Sequence, residues 1–487
     1  MNYGLLAPEL ILFGTAMLVV LLDAFRAQWK VTSSLLAGAA ALGALGALGA
    51  SLVYVDRQEE FGELLVIDNF TTFFRVLFNA TVIVVIAGSY EFVNKNIRHP
   101  GEFYSLLLLS TIGATYMAAA NELLTAYLAI EVLSFSLYVA VSLAKTDPRS
   151  GEAGLKYVLL GGVASAMLLY GLSLLYGSAG STLYEEMHIA FEEHGETSAI
   201  VLAGLALVIG GLAFKASAVP FHMWTPDAYE GAPLPITAYL SATSKAATFA
   251  LLLRLLTGPL APVSGDWSWM LAALSVATMV LGNLVALQQH NIKRLLAYSS
   301  IGQVGFMLMT LVVLSSDSLE LRSQASSALL LHMAGYLVTN LAVFTAVIAF
   351  YNRTGKEEVS DFRGLAETQP FLALVITAGL FSLSGMPLLA GFATKFILFQ
   401  AAASGGYLWL AGLAVIMSTV SLYYYLQVIK QFYFYEPVGD TSRWRLSPVS
   451  FVLSGVLLVA MVVIGLYFGP LYVVAERASD ALYASHS

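Results

Sequence analysis

Six basic side chains stand where so apolar a chain has least room for charge. Lys156, Lys215, Lys245 and Lys395, with Arg75 and Arg254, fall inside hydrophobic stretches of a 487-residue sequence. A lysine at the middle of a bilayer costs about 2.5–3.5 kcal/mol to insert, and the loss of hydration penalises its charged form. An amine that can be either charged or neutral near pH 7 is a proton carrier. Glu131, in LLTAYLAIEVLSFSLYVAVSL, is the one acid well inside such a stretch. There it would be protonated or need a cation, and Lys215 is the expected partner. Pairing would strengthen the lysine's hold on its proton and separation would weaken it. His222 follows Pro220 in GGLAFKASAVPFHMW (Gly210–Trp224) and could pass protons, because histidine titrates near neutrality.

Plainer readings stand beside each. Lys215 could snorkel into a gap opened by Pro220, or form a permanent structural pair with Glu131. Lys245, near the middle of its stretch beside Ser241, Thr243 and Ser244, could simply be satisfied by carbonyls. Lys395 reaches the middle only if its helix unwinds around Gly385–Gly391; otherwise it and Lys156 could snorkel to an interface. His222 could do no more than hydrogen-bond at a helix break, and His332 resembles it. Arg75 and Arg254, nearer the outer ends of their stretches, read as interfacial anchors.

The elements that must position these groups are membrane spans. The chain is 58% hydrophobic and 11% charged, with a mean hydropathy of +0.78, where soluble domains carry roughly 25% charge. It has no cysteine, which excludes disulfides, thiolate nucleophiles and cysteine-held clusters. A span needs about 20 apolar residues. That length predicts an all-α membrane protein of fourteen spans: 5–25, 32–55, 69–92, 102–119, 122–144, 153–178, 199–226, 233–257, 266–289, 293–315, 325–351, 369–400, 404–432 and 448–472. No gap admits a soluble domain, so residues 1–487 form one transmembrane unit. Lysine and arginine placement orients it. With both termini outside, the inner loops hold 14 of the 23 basic residues, and the acidic loop 184–196 falls outside.

An internal echo adds layout. GLAFKASAVP (Gly211–Pro220) in the seventh span is matched by GLFSLSGMP (Gly379–Pro387) in the twelfth. Proline removes a backbone hydrogen bond, and the freed carbonyls must find other partners in lipid. Two interrupted helices five spans apart suggest inverted five-helix repeats, spans 4–8 and 9–13, with helices 7 and 12 broken. Transporters built this way place ion sites at the breaks. The corresponding divisions are an N-terminal three-helix segment (1–100), a first repeat (101–258), a second repeat (259–435) and a C-terminal helix (436–487).

KASAVPFHMWTPDAYEGAPLP (Lys215–Pro235) strongly resembles the K-x-x-x-x-P-F-H-x-W-x-P-D-x-Y-E-G-A-P signature of the antiporter-like membrane subunits of respiratory complex I, related to Mrp-type antiporters. Lysine at both 245 and 395 resembles the N-type branch more than its L- and M-type relatives. The resemblance implies a proton-translocating subunit of an NADH-quinone oxidoreductase. In it Glu131 would be the modulating acid, Lys215 the proton-carrying lysine and Lys245 the connecting group. Lys395 would be the exit-side lysine, Lys156 an accessory on the input side, and His222 a further candidate in the path. It also implies that this chain holds no cofactor: NADH, FMN, iron–sulfur clusters and quinone would belong to partner subunits. Its partners would be other membrane subunits, further antiporter-like ones among them, with the lipid bilayer and protons, and no nucleic acid. The setting would be a bacterial inner membrane. Three rivals remain: a stand-alone Mrp-type cation/proton antiporter, a passive membrane scaffold, and membership in a related hydrogenase or photosynthetic complex.

Overall fold

A computed structural model describes residues 2–194, 197–437 and 442–484. Helices α1 (Ala7–Ala24) and α2 (Ser33–Leu52) lead to a small antiparallel hairpin, β1 (Glu59–Phe61) and β2 (Leu65–Ile67). Then follow α3 (Asn69–Asn96), α4 (Pro100–Ala119), α5 (Leu123–Val141) and α6 (Pro148–Ala179). A short α7 (Tyr184–His194) precedes α8 (Ala199–Ala216), α9 (Trp224–Gly231) and α10 (Leu234–Thr257). The remainder comprises α11 (Ser264–Ala286), α12 (Ile292–Val312), α13 (Leu319–Thr354), α14 (Pro370–Ser384), α15 (Ala390–Ser404), α16 (Leu408–Phe434), α17 (Pro448–Leu466) and α18 (Gly469–Ala481). Polar caps start many of them: Asp68 accepts from Thr71 N at 2.8 Å, Glu122 from Leu124 N at 2.8 Å, and Asn291 from Lys293 N at 2.9 Å.

Among the described residues, 12 helices are long and apolar enough to cross a membrane, so the chain is an all-α, multi-pass membrane protein. The expected span at 102–119 coincides with α4, whose Ser105, Ser110, Thr111 and Thr115 dilute its apolar character and lie buried. The expected span at 369–400 is the pair α14 and α15. Two local expectations differ. The polar loop 184–196 contains α7, because Tyr184, Met187 and Phe191 line one buried face while the glutamates point outward. The stretch 448–472 ends as a span at Leu466, and α18 begins separately at Gly469.

The centre is made by α10, α12 and α13, whose residues are buried on nearly every side. Helix α13 packs on α3, α14, α15, α17 and α18. By contrast α1, α2 and α17 expose rows of large apolar side chains, including Leu10, Phe13, Leu42, Val452 and Val456, as a lipid-facing surface must. Close approach of α11 to α12 requires Gly282, where an added methyl would lie 2.6 Å from Gly302 N.

Both predicted interruptions are present and share one design. Helix α8 ends on Ser217 in the left-handed region (φ 70°), with Ala218 N donating to Ala213 O at 2.7 Å. Helix α14 ends on Gly385 (φ 88°), with Met386 N donating to Phe381 O at 2.9 Å. Each closes with the same backbone loop that satisfies a terminal carbonyl.

Candidate functional site

The first break aims Lys215 at α5. It lies in the last turn of α8, 4% exposed, and its Nζ donates to Ser134 Oγ at 2.6 Å and to Tyr138 OH at 3.0 Å. Glu131 is one turn earlier on α5, half-buried, and accepts from Ser165 Oγ of α6 at 2.5 Å. The expected partners therefore flank Ser134 and do not form a direct ion pair among the described contacts. An aromatic stack holds this corner. Tyr138 meets Tyr157 edge-on at 4.6 Å, and Tyr157 stacks on Trp224 at 4.3 Å. Trp224 Nε1 in turn donates to Phe214 O at 2.9 Å, capturing a carbonyl at the end of α8. The tryptophan of the signature thus seals the break. His222 lies in the connecting turn, half-buried, and its Nδ1 meets no partner among the described residues. It is not hydrogen-bonded to Lys215.

Lys245 and Lys395 are enclosed more completely, at 1% and 3% exposure. A single wide turn over Leu240–Ser244 precedes Lys245, whose Nζ donates to Ser300 Oγ on α12 and lies 5.4 Å from the Tyr229 ring centroid. Lys395 sits in α15 but folds back onto the end of α14. Its Nζ donates to Leu383 O at 2.6 Å and to Ser418 Oγ at 3.2 Å, and lies 4.8 Å from the Phe306 ring centroid. A cavity of about 310 Å³, lined by Lys395, Phe396, Val415 and Ser418, opens beside it. His332 Nδ1 and Thr394 Oγ1 are 3.0 Å apart, one residue from this lysine.

Lys156 does not join the buried row. Its side chain is 46% exposed and bridges Glu152 at 2.8 Å and Asp227 at 2.9 Å. From there a charge network spreads. Arg294 reaches Asp227 at 2.9 Å and Glu230 at 2.8 Å, while Glu357 takes Lys293 at 2.8 Å and Arg149 at 3.2 Å. Partial burial by itself would raise the Asp227 carboxyl, but hydrogen bonds from Lys156 and Arg294 outweigh it and hold the group below the usual carboxylate range. Cavities of about 440 Å³ and 190 Å³ adjoin the network. The sequence reading missed these acids, although Asp227 and Glu230 belong to the quoted signature, where polar residues interrupt an apolar run.

Arg75 and Arg254 are not surface anchors. Arg75 is fully buried and grips Glu9 through two 2.8 Å contacts. Arg254 reaches Asp68 at 2.8 Å and Ala118 O at 3.0 Å. Each guanidinium turns inward because a carboxylate distant in the chain comes within reach, although Arg75 Nη1 meets no partner among the described residues.

Comparison with known proteins places this geometry. The family described as "NADH:quinone oxidoreductase/Mrp antiporter, TM" matches residues 120–421. NADH-quinone oxidoreductase subunit N of Moorella thermoacetica is 43% identical over 83% of this chain and 84% of its own length. The protein of the same name from Desulforamulus reducens is 36% identical over 99% and 98% respectively. Among solved structures, a chain of respiratory complex I from Thermus thermophilus superposes with a TM-score of 0.80 at 29% identity, covering 96% of this chain and 99% of that one. A chain of the Mrp complex from a Dietzia species shares the fold, with a TM-score of 0.84 at 21% identity over 100% and 98%.

Proposed function

Since the chain belongs to the NADH:quinone oxidoreductase/Mrp antiporter transmembrane family, we propose that it is the proton-translocating, antiporter-like membrane subunit of an NADH-quinone oxidoreductase. One observation carries the reading. Lys215, Lys245 and Lys395 are buried amines held by hydroxyls and carbonyls, with no carboxylate within ion-pair distance among the described contacts. Among the described residues no carboxylate pins these amines, whereas Arg75 and Arg254, charged by their own chemistry, are neutralised by Glu9 and Asp68. Moving one proton against 100 mV takes about 2.3 kcal/mol, the scale of a shift of roughly two pKa units. Bringing Glu131 toward Lys215 or away from it would supply a change of that kind.

In this reading Glu131 modulates Lys215, Lys245 connects the halves, and Lys395 serves the exit side. Lys156 and the acids around it collect protons at the inner mouth, and His222 lines the break. Fourteen spans, arranged as repeats 101–258 and 259–435 between the flanking segments 1–100 and 436–487, accommodate the two matching breaks. The termini lie on the outer side of a bacterial inner membrane. Electron transfer, with its NADH, flavin, clusters and quinone, belongs to partner subunits, for this chain has no cysteine to ligate a cluster. Other antiporter-like subunits adjoin it in the membrane.

The test is proton pumping by the assembled complex carrying Lys215→Ala. Quinone reduction uncoupled from pumping, or the loss of both with all subunits retained, supports the role. Full pumping contradicts it. A stand-alone antiporter would instead show sodium-dependent proton flux in vesicles holding this chain alone, and a scaffold would tolerate neutral replacement of every lysine.

A further inference from the structure

We propose that Gln303 positions a buried water that links Lys245 to Lys395 along α12. The inference rests on the proton-translocation reading and names a group within it. Helix α12 presents Ser299, Ser300 and Gln303 within little more than one turn. Ser300 Oγ accepts from Lys245 Nζ, and Ser299 Oγ is hydrogen-bonded to Tyr425 OH of α16. Gln303 Nε2 donates to Leu383 O at 3.0 Å, and the same carbonyl accepts Lys395 Nζ at 2.6 Å. That carbonyl is free to take both because α14 stops at Ser384, leaving its last carbonyls without intrahelical donors.

The shared carbonyl also fixes the amide. A carbonyl only accepts, so the nitrogen of Gln303 must face Leu383 and the oxygen must face away. Gln303 is 2% exposed, and its Oε1 is buried without a direct hydrogen bond, although its amide lies beside the Tyr425 hydroxyl. Buried acceptors are nearly always satisfied, by protein or by ordered water. A water donating to Oε1 would stand on the face of α12 where Ser299 meets Tyr425 and Gln303 shares the Leu383 carbonyl with Lys395. In the proposed path the Ser300 hydroxyl turns from the Ala297 carbonyl, to which it donates at 2.8 Å, and a proton leaving the Lys245 ammonium passes by way of Ser300, the Ser299–Tyr425 pair and the water, each taking one proton and releasing another. The last proton arrives on the neutral amine of Lys395. The amide itself does not ionise; it is a positioning residue.

Three variants of the assembled complex decide the matter, with subunit content checked by co-purification. Gln303→Met keeps length but offers no acceptor, Gln303→Asn keeps an uncharged amide with both donor and acceptor, and Lys395→Ala reports on the path itself. Gln303→Met is expected to slow coupled pumping roughly tenfold and to enlarge the rate difference between H2O and D2O. Gln303→Asn is expected to retain most of the rate. Wild-type pumping in Gln303→Met beside an impaired Lys395→Ala overturns the water bridge alone. Equal loss in both Gln303 variants with an unchanged solvent isotope effect reduces Gln303 to packing and overturns it too. Wild-type pumping in Lys395→Ala removes the reading beneath it.

Discussion

At the scale of single residues, the chain holds two kinds of buried charge, and their partners separate them. Arg75 and Arg254 meet carboxylates, whereas Lys215, Lys245 and Lys395 meet neutral oxygens. Breaking a buried pair strands the remaining charge, which costs about 3–5 kcal/mol. Arg75→Ala should therefore lower the thermal stability of the complex, and pairing it with Glu9→Leu should restore most of the loss. Stability that stays down in the double variant would mean the pair matters for more than its charge. At the other site, the gap between Glu131 and Lys215 leaves room for modulation. Glu131→Asp should keep more pumping than Glu131→Gln, since the charge acts across Ser134 rather than through a fixed contact. Equal rates would point to packing.

At the scale of elements, the two breaks do the positioning. Gly391 opens α15 against the end of α14, and a methyl there would lie 1.7 Å from Ser382 O. Gly391→Ala must push the half-helices apart and move Lys395 off the Leu383 carbonyl. Pumping should fall while quinone reduction by partner subunits persists; an unaffected pump would show that Lys395 needs no such fixed seat. The first break uses Ser217 at φ 70° in place of glycine, a conformation that costs roughly 1–2 kcal/mol for a residue with a Cβ. Ser217→Gly should be neutral or better in a thermal melt, and Ser217→Val worse.

At the scale of the molecule, the charge network at the rim ties α6 and α9 to α12 and to the loop after α13, through Lys156, Asp227, Glu230, Arg294, Lys293, Glu357 and Arg149. The Asp227 carboxyl lies below its ordinary range, so its stabilising contribution is complete above that range and disappears only as pH falls through the lowered value. Asp227→Asn should accordingly lower the melting temperature of the complex by the same amount at pH 6 and pH 8. A loss confined to pH 8 would mean that Asp227 is protonated at pH 6 and does not hold the network there.

Hydropathy and basic-residue counts are sums over neighbours in the chain, so the sequence alone determined a helical membrane protein, its family signature, helix interruptions within Gly211–Pro220 and Gly379–Pro387, and the amines at 215, 245 and 395. Which charge meets which partner is a different kind of property. Glu9 and Arg75 are 66 residues apart, and Gln303 and Leu383 are 80 apart. No local pattern encodes those meetings. Only the packed helices decided that Arg75 is paired, that Lys156 sits at the rim, and that Lys395 folds back to share a carbonyl with Gln303. Inside a medium of low dielectric, a few ångströms between groups from distant helices set whether a charge is permanent or exchangeable.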